Sequence, residues 1–276
     1  MAYAGFYINL DRRTDRRAEI EAELARRNLT SLYERFPAIA GEALGLPHKI
    51  TPGEMGRFSS HYMLLKQNLG ADKPLHIIED DVIFATAAPQ IIAAIAAQNL
   101  FSGCDIVYTD IFVPIQLAAY KAYKSFCDAT PKGEFNIVDL KGLPFGSTSS
   151  YLVNPASIRK LHDLYEAAIT STPAQSNDLF IRDLSYAGTL KVGCLFPFVT
   201  SVRLDHILST DIDRSYHQAS ALAAHLGRYT FFADADFGIC HDYIKTHLPP
   251  PVADDGRAQI LTSLLSFALT DNYRSF

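Results

Sequence analysis

Three consecutive acids, Glu79-Asp80-Asp81, interrupt the apolar run Leu75-His76-Ile77-Ile78-Glu79-Asp80-Asp81-Val82-Ile83-Phe84. The apolar residues read as a strand that ends at the acids. On an extended backbone Glu79 and Asp81 point to the same side, with α-carbons roughly 6 to 7 Å apart. Carboxylates so placed can share one divalent ion, directly or through water. Their hard oxygens suit magnesium or manganese bridged by a diphosphate. Buried without an ion or a basic partner, they would repel one another at considerable cost. The plainer reading is a surface turn. The run contains no Gly-rich phosphate loop, which favours cation-assisted diphosphate binding over a protein-only mode.

A second group, Ile8-Asn9-Leu10-Asp11-Arg12-Arg13-Thr14-Asp15-Arg16-Arg17, follows the first apolar run. Arg12 and Arg13 precede the next helix and can clamp a phosphate or stack on a base. Asn9 or Asp11 can hydrogen-bond a base or ribose edge. Arg16 and Arg17 read at least as well as solvated residues of the helix, with Asp11 or Thr14 as its cap. A third group is Ser59-Ser60-His61-Tyr62. Adjacent helix positions do not face one another, so a serine nucleophile beside a histidine base is disfavoured. His61 reads first as a hydrogen-bonding helix residue, and otherwise as a contact to sugar or diphosphate or a support for the acids.

These residues need elements to place them. Gly5 to Leu10 reads as a buried strand, and Asp15 to Asn28, with Ile20 and Leu24 at helical spacing, as an amphipathic helix. Tyr33 to Ile39 is a second strand, interrupted by Pro37, and Gly41 to Lys49 a loop. Thr51-Pro52-Gly53-Glu54 carries a cap, a first-turn proline and a capping-box acid. Its helix is expected to run towards Leu69, with Met55, Phe58, Tyr62 and Leu65 inward and Gly70 as the stop. Strands follow at Pro74 to Ile78 and Asp105 to Thr109, with a helix at Ala87 to Gln98 between them. Phe112 to Gly142 is aromatic and irregular, a stretch that closes over a ligand or covers the core. Ser147 to Val153 reads as a strand and Pro155 to Ala168 as a helix. Thr172-Pro173-Ala174-Gln175 is a second capping signature, leading into a helix with Asp178, Phe180 and Ile181. Leu190 to Leu195 is a late strand. The alternation predicts an α/β fold with a mostly parallel sheet covered on both faces. Residues 1–210 form the expected core, and 211–276, less regular and broken at Pro249-Pro250-Pro251, an extension packed on it.

The totals agree with a globular chain of 276 residues, 48% hydrophobic and 20% charged. A formal net charge of -5 gives no basic face for a nucleic-acid partner. Cys104, Cys127, Cys194 and Cys240 lie far apart and lack the short spacings of zinc or redox sites. Reduced, mostly buried thiols predict a cytoplasmic protein. The start of the chain lacks the long apolar stretch of a signal peptide, and Ile91 to Ala97 and Ile260 to Leu269 fall short of a membrane span.

Four motifs taken together resemble a known family. They are Asn9-Leu10-Asp11-Arg12-Arg13-x-Asp15-Arg16, then Phe36-Pro37-Ala38-x-x-Gly41, then Thr51-Pro52-Gly53-Glu54-Met55-Gly56-x-x-Ser59-x-His61, and Ile78-Glu79-Asp80-Asp81. Their order and spacing are similar to glycosyltransferase family 25, the bacterial lipooligosaccharide galactosyltransferases and collagen galactosyltransferases. The resemblance is specific over about the first 85 residues and looser from Gly146 to roughly Thr210. It implies a GT-A-like single domain, a UDP-sugar donor, most often UDP-galactose, and inversion at the anomeric carbon. It also implies a Glu79-Asp80-Asp81 cluster in the role of the family's acidic metal motif, with Mn2+ or Mg2+ on Glu79 and Asp81. Asn9, Leu10, Asp11, Arg12, Arg13, His61 and Asp80 then face the nucleotide or diphosphate. The implied acceptor is a lipooligosaccharide or other surface polysaccharide, at the cytoplasmic face of the inner membrane if the protein touches a membrane. Arg57 departs from the family, where a cysteine or small residue is expected; a basic side chain there alters the acceptor side or points outward.

Single displacement needs one general base within hydrogen-bond reach of the acceptor hydroxyl. Asp178 is the first choice, since Ser176-Asn177-Asp178 opens a helix after a Pro-containing loop and the family has a similar downstream acid. Asp178 is equally an ordinary first-turn residue favoured by the helix dipole. Asp110, just after the Asp105 to Thr109 strand, is the rival. Gly146, Ser147 and Thr148 are small or hydroxylated and could line the acceptor side. Two other classes share these features: a metal-dependent nucleotide-sugar hydrolase, and an inactive nucleotide-sugar- or carbohydrate-binding protein.

Overall fold

The computed structural model describes residues 2–44, 50–98, 100–101, 103–170, 175–206, 218–236 and 238–239. Its centre is a seven-stranded sheet. In chain order the strands are β1 (Ala4–Asn9), β2 (Tyr33–Pro37), β3 (Leu75–Glu79), β5 (Ile106–Tyr108), β6 (Asn136–Asp139), β7 (Ser150–Val153) and β8 (Val192–Phe196), with β4 (Val82–Phe84) and β9 (Thr200–Val202) forming a separate pair. The spatial order is β2-β1-β3-β7-β5-β8-β6. Strands β2, β1, β3, β5 and β8 run one way, whereas β7 and β6 run against their neighbours.

Side chains alternate between two cores, as the period of a strand requires. Leu75 and Ile77 of β3, Ile106 and Tyr108 of β5, and Tyr151 and Val153 of β7 enter one core. Ile78, Val107 and Leu152 enter the other. The first core is closed by α2 (Pro52–Gln67), α4 (Gln116–Ala129), α5 (Ile158–Thr170) and α6 (Asn177–Tyr186), through residues such as Phe58, Tyr123, Leu161 and Ile181. The second is closed by α1 (Thr14–Arg26) and α3 (Ala88–Ala97), through Ile20, Leu24 and Ile92. Among the described residues no helix is long and apolar enough to cross a membrane.

Local signals set several boundaries. Thr51 accepts from the Glu54 N–H while the Glu54 carboxylate accepts from the Thr51 N–H, so the expected capping box forms with Pro52 in the first turn. Met55, Phe58, Tyr62 and Leu65 are all buried. The Thr172 to Ala174 part of the second capping signature lies outside the described residues; α6 starts at Asn177 after Ser176. Residues 112–142, read as irregular, hold α4 and β6. Ala119, Ala122, Tyr123 and Phe126 of α4 are buried at helical spacing, a stripe that the absence of a side-chain N-cap bond leaves unannounced. From 211–276, the described part contains α7 (Gln218–Thr230), followed by Phe231, which is buried in the first core, and Phe232, which bridges to Phe198.

Candidate active site

Because β7 is reversed, its first residues arrive where β1, β3 and β5 end. Ile78 pairs with Ser150, the Glu79 N–H donates to the Ser149 carbonyl at 2.7 Å, and the Thr109 N–H donates to the Ser150 carbonyl at 3.2 Å. Asn9, Glu79, Asp110 and Ser149 are thereby gathered at one sheet edge, where open α/β sheets hold their ligands. A cleft at this edge is lined by Leu10, Arg12, Arg16, Arg57 and the acids Glu79, Asp80 and Asp81, with Ala38 to Glu42 opposite. The wall at 38–42 lies directly on α2. A β-carbon on Gly41 would fall 1.6 Å from the Pro52 carbonyl oxygen, and one on Gly56 2.4 Å from that of Ile39. Only glycine permits this approach, which accounts for both glycines in the quoted motifs.

The acids do not continue an extended strand. β3 ends at Glu79, and Asp80-Asp81 form the turn into β4. Arg16 compensates this turn, with Nη1 3.3 Å from Asp80 Oδ1 and 3.8 Å from Asp81 Oδ2. Arg16 is buried on the same helix face as Ile20 and Leu24. Extending that i, i+4 stripe back one turn would have marked it as inward rather than solvated. Burial and the neighbouring Asp81 push Asp80 up to about 6, against the hydrogen bond from Asn9 and the charge of Arg16. Burial and Glu79 likewise raise Asp81.

The other residues read as nucleotide contacts separate. Asn9 is buried: its amide N–H donates to Asp80 Oδ2 at 2.7 Å and to the Arg13 carbonyl at 3.1 Å, and its Oδ1 accepts from Arg35 Nε at 3.1 Å. It braces the acid turn from behind. Asp11 is exposed and paired with Arg35 at 2.5 Å, and Arg13 donates to Asp15 at 2.8 Å. Leu10 and Arg12 line the cleft.

His61 is fully buried on α2. Its Nδ1 meets the Tyr151 hydroxyl at 2.7 Å and its Nε2 lies 3.7 Å from Glu79 Oε1. Burial lowers its pKa, although Glu79 opposes the shift. The same Oε1 accepts from the Thr148 hydroxyl at 2.9 Å and lies 3.9 Å from Arg57 Nη1. Burial alone would raise Glu79, but His61, Arg57 and Thr148 together hold it below the usual carboxylate range.

Arg57 points inward and also reaches Asp178, its Nη2 lying 3.5 Å from Oδ1. Asp178 accepts from the Ser176 hydroxyl at 2.6 Å and from the Ser147 N–H at 3.2 Å. These donors and Arg57 outweigh burial and keep its pKa below the ordinary value, so the carboxylate is ionised at neutral pH. Asp110 is differently placed. It is completely buried, raised by that burial, and held by the Arg228 guanidinium and by the Ser149 hydroxyl at 3.0 Å. Arg228 also donates to Ser149 Oγ at 2.5 Å. It comes from α7, and no local pattern pointed to it.

Asp81 Oδ1 is buried and has no hydrogen-bond partner among the described residues, the condition of an oxygen that a cation would satisfy. Asp81 therefore fits a divalent ion whose shell would be completed by water or diphosphate, while Glu79 is engaged by Thr148 and Asp80 by Asn9 and Arg16. A separate group on α5, His162, Asp163 and Glu166, brings potential ligand atoms within 4.8 Å of one another; its two acids are exposed. The trio at 79–81 does not converge that closely.

No curated protein sequence matches the chain. Among solved structures, the apo form of mouse xyloside xylosyltransferase 1 is similar at 11% identity over 69% of this chain and 77% of that chain, with a TM-score of 0.31. Residues 3–177 match the family described as glycosyltransferase family 25 (LPS biosynthesis protein), and a central sheet flanked by helices with its acids at the strand ends is a GT-A-like arrangement. This chain belongs to glycosyltransferase family 25.

Proposed function

We propose that the chain is an inverting glycosyltransferase that moves a hexose, galactose first among the candidates, from a UDP-sugar to a glycan hydroxyl. The observation that carries this reading is a cleft lined by an acid turn suited to a cation-bound diphosphate and by Arg57, whose far side meets the ionised carboxylate of Asp178, suited to a base. Mn2+ or Mg2+ held by Asp81, with Glu79 or Asp80 assisting, would neutralise the diphosphate. Leu10 and Arg12 border the nucleotide, while Asn9 holds Asp80 in place from behind and His61 lies 3.7 Å from Glu79.

Asp178 is the preferred base. The acceptor oxygen bonds to the anomeric carbon as the sugar–phosphate bond breaks, UDP leaves with that electron pair, and the hydroxyl proton passes to Asp178. Asp110 is disfavoured because it is completely shut off from solvent, whereas the Asp178 side chain is 19% exposed. We assign the catalytic core to 1–210 and treat 211–276 as an extension that contributes Arg228. A bacterial surface glycan acceptor and a cytoplasmic location, with peripheral membrane contact, complete the proposal.

The test is a panel of nucleotide sugars with and without manganese, with mass spectrometry of products on candidate glycans. Manganese-dependent gain of one hexose by an acceptor is expected. Acceptor-independent release of free sugar would replace the transferase with a hydrolase, and UDP-sugar binding without turnover would leave a binding protein.

A further inference from the structure

We propose that Arg57 grips the transferred sugar itself, between the departing diphosphate and the incoming hydroxyl, and so fixes which sugar is moved. The assignment rests on the single-displacement reading above.

One guanidinium spans the two ends of the reaction. Its Nη1 lies 3.9 Å from Glu79 at the diphosphate end and its Nη2 3.5 Å from Asp178 at the base. In a single displacement the sugar ring must lie between diphosphate and base, and so beside this guanidinium, because its anomeric carbon is attacked from one side and left from the other. Arg57 and Glu79 both line the cleft, so the guanidinium is within reach of a ligand held there.

The guanidinium is under-used where it sits. Its side chain is only 15% exposed, yet its two acid contacts are at or beyond the outer limit of a hydrogen bond, and its Nε has no partner among the described residues. Arg35 shows what a satisfied arginine looks like in this protein, with contacts of 3.1, 3.1 and 2.5 Å. A buried guanidinium carries five donors that favour planar, paired acceptors. The oxygen pairs of a pyranose, two neighbouring hydroxyls or a hydroxyl and the ring oxygen, are acceptors of this kind.

The surroundings also select charge. Arg57 is already paired with the Glu79 and Asp178 carboxylates, so it offers no uncompensated positive charge to the carboxylate of a uronic acid. The chemistry fits an uncharged hexose held through its hydroxyls.

The experiment compares wild type, Arg57→Met and Arg57→Lys, each checked for folding by circular dichroism. UDP affinity in manganese is measured by calorimetry, and kcat/KM with UDP-hexoses and UDP-glucuronic acid. Arg57→Met is expected to keep UDP affinity within about threefold and to lose roughly 10- to 100-fold in kcat/KM with the preferred hexose, the scale of a charged hydrogen bond. Arg57→Lys keeps the charge between the acids and so guards against misfolding. It should bind UDP normally yet lose roughly 10-fold or more in kcat/KM, because a single ammonium cannot hold a pair of oxygens. Wild type should use the uronic donor at least about tenfold less well. Equal losses for UDP and the intact donor would make Arg57 a diphosphate contact and overturn the proposal. Unchanged kinetics in the folded lysine variant, or a preference for the uronic donor, would overturn it too. A wild-type protein that transfers no sugar at all removes the transferase reading first, an outcome visible before any variant is compared.

Discussion

The backbone N–H of Ser147 donates to Asp178 Oδ2 across 3.2 Å, from a residue whose φ is 82°. A serine in the left-handed region is uncommon and held there by its surroundings, and here it touches the proposed base. The immediate expectation concerns Asp178. Asp178→Asn keeps the size of the side chain and one of the two oxygens that accept from Ser147 and Ser176, but loses the proton-accepting carboxylate. It should lower kcat by roughly 10²- to 10⁴-fold while UDP–manganese affinity hardly changes. Steady-state kinetics at saturating donor and acceptor, paired with calorimetry, provides the check. A near-normal kcat would send the search to Asp110.

Asp81 is expected to carry the divalent ion. Its Oδ1 is buried and unpartnered among the described residues, and Asp81→Asn weakens that oxygen as a ligand with little change of shape. The variant should melt within a few degrees of wild type in chelator, and manganese should no longer strengthen its binding of UDP. Undiminished manganese dependence would place the ion elsewhere, with His162, Asp163 and Glu166 the next group to alter.

Arg228 and Asp110 form a fully buried pair, so removing one partner strands the other charge. Arg228→Met alone is expected to cost about 3 to 5 kcal/mol in urea unfolding. The double change Arg228→Met with Asp110→Leu should recover most of that loss. If the single change costs less than about 1 kcal/mol, the pair contributes little to holding α7 on the sheet.

Asp80 carries a pH signature. Its folded pKa, about 6, lies above its ordinary value of 3.8. Between these values the folded protein holds the extra proton, so stability falls as pH rises through the window and the full cost is present above pH 6. Asp80→Asn removes the cost and still accepts from Asn9. In chelator it should gain stability at pH 7, by no more than about 3 kcal/mol, and gain nothing near pH 4. Urea titrations at the two pH values measure the difference. A gain of equal size at both would mean that packing, rather than ionisation, is responsible.

Much of this was legible because the deciding interactions are local. The capping box at Thr51 and Glu54 needs three residues of separation, and the Ile20–Leu24 stripe one helical turn. The acids at 79–81 announced themselves by interrupting an apolar strand, although their turn geometry did not follow from an assumed extended backbone. β6 was missed because it is an edge strand with only Val138 buried, which leaves little alternation to detect. Arg228 was beyond reach for a different reason. Its partner lies 118 residues earlier, and such a pairing exists only once the sheet order is known.

The reversed direction of β7 has a consequence for how this chain can diversify. In an all-parallel sheet the residues at the ligand edge come from loops scattered along the sequence. Here 146–149 form one short stretch that touches Glu79, Asp110 and Asp178 before the paired part of β7 begins at Ser150. Substitutions confined to that stretch would alter three acids at once and leave the ladder of Ser150–Val153 intact. It is a compact module, exchangeable without rebuilding the sheet, through which one scaffold could be retuned from one acceptor to another.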